Sequence, residues 1–81
     1  MDKPKGIVIE LNTIGARLQY LRAANKFTKK DLANSLGISP HTLTKYELNH
    51  TTIPSYHVTE YSKAFNVSID WILTGKEHEQ S

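Results

Sequence analysis

The sequence predicts an all-α fold of five short helices, preceded by a short extended arm. Three observations predict it. Apolar residues recur at helical spacing, as in Ile14, Leu18 and Leu21 or Val58, Tyr61 and Phe65. Most of the helical stretches open on a serine, threonine or proline and close on a glycine or asparagine. The chain has 81 residues and no cysteine, so it is one small domain without disulfides or cysteine-rich zinc sites.

Residues 1–12 read as an arm. Pro4 and Gly6 break helix, and Gly6-Ile7-Val8-Ile9-Glu10-Leu11 has the β-branched content of a short strand. A lone strand is unstable in water, so it must pack on the domain, pair with another chain or stay mobile.

The first helix follows, with Thr13 or Asn12 as N-cap and Ile14, Leu18, Leu21 and Ala24 as its apolar stripe. Arg17, Gln19 and Arg22 lie between them, and Asn25-Lys26-Phe27 ends the helix. Thr28-Lys29-Lys30-Asp31 opens the second helix as a capping box. Leu32, Ala33 and Leu36 form its inner face, and Gly37 stands where a left-handed terminator is wanted. Ser39 caps the third helix, with Pro40 at its first position. Leu43 and Tyr46 face inward there, which leaves His41, Thr42, Thr44 and Lys45 outward. A polar loop runs to Ile53. The fourth helix begins at Pro54-Ser55 and ends at Asn66; the fifth is capped by Ser68 and stopped by Gly75. Residues 76–81 read as a flexible tail.

Composition excludes several function classes. No apolar run approaches the roughly 18 residues of a membrane span, and no signal peptide is present, so a cytoplasmic protein is expected. The net charge is only +2, but it is unevenly placed. Residues 17–45 carry Arg17, Arg22, Lys26, Lys29, Lys30 and Lys45 against Asp31 alone, whereas residues 46–81 are mildly acidic. Either this is a solvated surface with an uneven count, or one face is built for a polyanion. His41, His50, His57 and His78 lack metal-ligand spacing, and no glycine-rich phosphate loop or catalytic Ser/His/acid set stands out. No metal, no cofactor and no enzymatic activity are expected.

Two helices joined through Gly37-Ile38-Ser39 make a helix-turn-helix candidate. Ala33 is small where the third helix must approach the second, and the outer face of the third helix has no acid before Glu47, as entry into a major groove requires.

At this point residues 13–75 resemble the Cro/CI-type (XRE-like) helix-turn-helix family of phage and bacterial repressors. The resemblance is carried by Ile14-Gly15-Ala16-Arg17-Leu18, Leu21-Arg22, Thr28, Asp31-Leu32-Ala33, Leu36-Gly37-Ile38-Ser39, Thr42-Leu43, Tyr46-Glu47 and the run Phe65-Asn66-Val67-Ser68-Ile69-Asp70-Trp71-Ile72-Leu73-Thr74-Gly75. Each piece is weak alone; all of them in order are specific.

The resemblance implies a lambda-repressor-like DNA-binding domain and definite roles. Pro40, His41, Thr44 and Lys45 stand at base-reading positions, although proline offers no side-chain donor. Thr28, Lys29, Thr42, Asn49, His50 and Thr51 stand at phosphate-facing positions, with Arg22 near phosphate as well. Lys29 replaces a glutamine common in the family, which favours nonspecific attraction over bracing of a base-reading side chain. The loop Asn49-His50-Thr51-Thr52 is poorer in lysine and arginine than in many relatives. Arg22 and Glu47 are implied to form an internal ion pair.

Tyr46 reads as core, and Tyr20, Tyr56 and Tyr61 as packing or rim residues. Trp71 reads as core or as shared between core and a dimer contact. Ile7, Ile9, Trp71 and Ile72 are the candidates for a dimer surface. The expected function is a transcriptional regulator, a phage or prophage-type repressor, that binds a pseudo-palindromic double-stranded DNA operator as a homodimer. Two alternatives remain: an antitoxin, with a toxin partner, or a restriction-system controller of the same fold; and a protein-interaction module without DNA binding. Repressors of this type often continue beyond such a run as residues 71–75, so the chain matches either a Cro-sized protein or part of a longer one.

Overall fold

The computed structural model describes residues 11–76. The arm up to residue 10, with Ile7 and Ile9, and residues 77–81 of the expected tail lie outside them. The described chain folds into five helices: α1 (Ile14–Ala24), α2 (Lys29–Leu36), α3 (Pro40–Glu47), α4 (Ser55–Phe65) and α5 (Ile69–Thr74).

Local chemistry sets the helix boundaries. Thr13, Thr28, Ser39 and Ser68 each accept a hydrogen bond from the backbone N–H three residues on, so four helices share one N-terminal solution. Helix α4 starts after Pro54 without a side-chain cap. Gly37 takes φ +74° and closes α2. Its N–H donates to Asn34 O, and the N–H of Ile38 donates to Ala33 O, the paired bonds of a Schellman motif. The chain thereby reverses within three residues and lays α3 across α2.

The core is assembled from Leu18 and Leu21 of α1, Leu32 and Ala33 of α2, Leu43 and Tyr46 of α3, Ile53, Val58 and Tyr61 of α4 and its lead-in, and Ile72 of α5. Each large member contributes about 1.5–3 kcal/mol by leaving water. Ile14, Leu36, Ile38, Phe65, Val67 and Trp71 pack around it.

Three side-chain expectations are corrected. Ala24 is exposed, and the buried face of α1 runs instead through Gly15, Arg17, Leu18 and Leu21. Arg17, counted among the basic surface residues, is only 4% exposed. Its Nε donates to Ile72 O (2.8 Å), Nη2 to Leu73 O (3.2 Å) and Nη1 to Leu11 O (2.6 Å). The cation thus sits against the C-terminal carbonyls of α5, where the helix dipole favours positive charge. Ile72, a dimer candidate, is fully buried in its own core. The large apolar side chains that α5 exposes are Ile69 and Leu73.

Candidate nucleic-acid interface

Helix α3 has two unlike faces. Leu43, Tyr46 and Glu47 are buried. Pro40 and His41 are exposed, while Thr42, Thr44 and Lys45 are half-buried. Ser39 and Pro40 start this helix at the tight turn, so its first residues stand at the edge of the fold.

The acid on α3 is turned away from solvent. Arg22 Nε donates to Glu47 Oε2 (2.7 Å) and Nη2 donates to Oε1 (3.1 Å), a bidentate pair between α1 and α3. The third nitrogen, Nη1, donates to Phe27 O at 3.2 Å. The side chains of Arg22 and Glu47 are 14% and 3% exposed. The hydrogen bond to Glu47 raises the Arg22 pKa further above its ordinary value, against the opposing effect of burial.

Lysines dominate what remains of the positive surface. With Arg17 and Arg22 engaged inside the fold, Lys26, Lys29 and Lys30 are exposed and Lys45 is half-exposed. Lys26 adopts φ +64° in the turn after α1. Lys29 and Lys30 occupy the first turn of α2, beside Thr28, whose hydroxyl accepts from Asp31 N–H. Thr42 Oγ1 accepts from Ser39 Oγ. His50 and Thr51 are exposed in the loop after α3.

Asn49 behaves differently from its loop neighbours. Its Oδ1 accepts from Gly15 N–H (2.8 Å) and its Nδ2 donates to Thr13 Oγ1 (3.0 Å). Both ends of the amide therefore bind the start of α1, and the backbone at Asn49 is left-handed with φ +62°. This clasp escaped the sequence reading. The available signal was Gly15, a glycine inside a helical stretch, which marks close backbone approach.

Behind the interface, the Tyr46 hydroxyl lies 3.3 Å from His57 Nδ1 in a buried contact. Burial raises the Tyr46 pKa. His57 is itself buried, with Glu60 Oε1 3.9 Å from its Nε2 and the ring of Tyr56 against it. Tyr61 is fully buried, and its hydroxyl has no hydrogen-bond partner among the described residues. Trp71 is half-buried and meets the exposed ring of Tyr20 edge-on, with centroids 6.4 Å apart.

A helix-turn-helix domain family matches residues 15–78. The chain is 34% identical over 68 residues to the HTH-type transcriptional regulator DicA of Escherichia coli (strain K12), a match covering 84% of this chain and 50% of that protein. It is 27% identical over 66 residues to the Repressor protein CI of Enterobacteria phage phi80, covering 82% of this chain and 28% of that one. The chain thus spans half or less of these curated relatives. No solved structure matches it. The family match begins in the first turn of α1 and runs past α5, and the α2–turn–α3 unit lies within it: the chain belongs to the Cro/CI-type helix-turn-helix family.

Proposed function

We infer that the chain is a sequence-specific double-stranded DNA-binding transcriptional regulator, acting as a phage or prophage-type repressor. The observation that carries this reading is the two-sided chemistry of α3. Its inner side is locked by Leu43, Tyr46 and the Glu47–Arg22 pair, and its outer side offers His41, Thr44 and Lys45 without an acid. A helix so arranged fits the major groove, where Lys45 donates to guanine O6 or N7 and His41 to a base edge. Pro40 supplies apolar contact alone. Lys29, Thr28, Thr42, His50 and Thr51 are assigned to the phosphate backbone, and Arg22 contributes at most its remaining protons.

One short helix reads few bases, so specificity calls for two copies on a pseudo-palindrome with half-sites about one helical turn apart. The apolar surface assigned to that dimer is the exposed Ile69 and Leu73 of α5, with the Trp71–Tyr20 ring pair as a second candidate. Titration of the chain into duplex DNA at rising salt tests the reading. Affinity should fall steeply and log-linearly with salt. Absence of duplex binding at low salt would instead leave a protein-interaction module.

A further inference from the structure

We propose that Asn49 is a positioning residue that sets the angle at which α3 is presented, acting through the start of α1 rather than by touching DNA. The proposal rests on the DNA-binding reading above and deepens it.

The geometry is specific. Asn49 Oδ1 satisfies the Gly15 N–H, one of the amides at the helix start that lack an intrahelical partner. Its Nδ2 reaches Thr13 Oγ1, the same oxygen that caps α1 through Ala16 N–H at 3.1 Å. The left-handed backbone at Asn49, with its own N–H donating to Tyr46 O, turns the amide back towards α1. Asparagine combines tolerance of that conformation with both a donor and an acceptor.

Gly15 makes the approach possible. A Cβ there would lie 2.4 Å from Glu47 O and 2.7 Å from both Tyr46 O and Asn49 Oδ1. The first turn of α1 therefore rests on the last carbonyls of α3, positive helix end against negative helix end. Seven residues along α1, roughly 10 Å at 1.5 Å per residue, Arg22 grips Glu47. Two attachments on one helix fix the rotation of α3, where one would leave it a pivot. Since both amide ends of Asn49 are already engaged by the start of α1, its effect on DNA passes through orientation.

The test uses the full chain with two duplexes, one selected by the wild type from random sequence and one scrambled duplex of equal length. Asn49→Gly suits the positive φ and removes the amide, so the fold is kept. Its preference for the selected duplex should fall about fivefold, with binding to the scrambled duplex little changed. Thr13→Ala should act on the same preference, and the double variant should fall short of the summed effects. Equal losses on both duplexes, or strictly additive effects, overturn the proposal and return Asn49 to the phosphate-contacting set. Hydrogen exchange at the Gly15 amide gives a readout without DNA: it should accelerate in Asn49→Gly, and unchanged protection overturns the clasp. A wild type that prefers no duplex overturns the DNA-binding reading itself, and this proposal with it, whatever the exchange rate.

Discussion

Arg22 and Glu47 join the last turn of α1 to the last turn of α3 through two parallel hydrogen bonds, with the Glu47 side chain almost wholly out of water. The pair hides the acid of α3 and braces the helix from behind. Because Glu47 is so deeply buried, removing Arg22 strands a charge. Arg22→Met should cost on the order of 3–5 kcal/mol, and Arg22→Met with Glu47→Met much less than the two single changes combined. Urea denaturation of the four proteins checks this; additive losses would show the pair to be uncoupled.

Arg17 should be as sensitive as a core residue. Lysine at this position cannot reach the three carbonyls of Leu11, Ile72 and Leu73 together. Arg17→Lys is expected to destabilise by about 2 kcal/mol, a value in the range for hydrogen bonds to charged groups. A change within about 0.5 kcal/mol in urea denaturation would match a surface arginine instead.

The buried hydroxyl of Tyr61 gives the fold an alkaline limit. Burial raises its pKa first of all, and the nearby Glu47 adds to the effect. The folded state therefore keeps a proton that the unfolded state releases above a pH of about 10. The contribution to stability is complete below that pH and is lost as pH rises through the folded value. Tyr61→Phe removes this loss. With no partner given up, it should leave neutral-pH stability unchanged or higher by about 1 kcal/mol. Thermal melts of both proteins at neutral and alkaline pH check both parts.

The local signals were legible because each lies within a few residues. Thr13, Thr28, Ser39 and Ser68 announce their helices, and Gly37 announces the turn, through bonds spanning three to five positions. The inward tilt of Arg17 and the clasp of Asn49 were not legible. Their partners lie 55 and 34 residues away for Ile72 and Gly15, and apolar periodicity carries no mark of a polar side chain that finds carbonyls or amides in the interior. Ala24 was misplaced for a related reason: the buried stripe of α1 turns towards Gly15 and Arg17, where small size and hydrogen bonding, not hydrophobicity, decide burial. The Arg22–Glu47 pair came from family resemblance rather than from spacing.

The outward side chains of α3 and the lysines of α2 should separate in their effects. Lys45→Ala and His41→Ala are expected to reduce discrimination between duplexes, each by about 1–3 kcal/mol where a bidentate or equivalent base contact is lost. Lys29→Ala should weaken all duplexes alike and reduce the salt slope by about 1. Equal losses on matched and unmatched DNA for all three would contradict the division of roles.

Selection of bound fragments from random-sequence duplex DNA tests the central claim most directly. The account predicts an enriched pseudo-palindrome whose two halves lie about one helical turn, about 34–36 Å, apart. Recovery of fragments with no shared sequence, or of none above background, would contradict it.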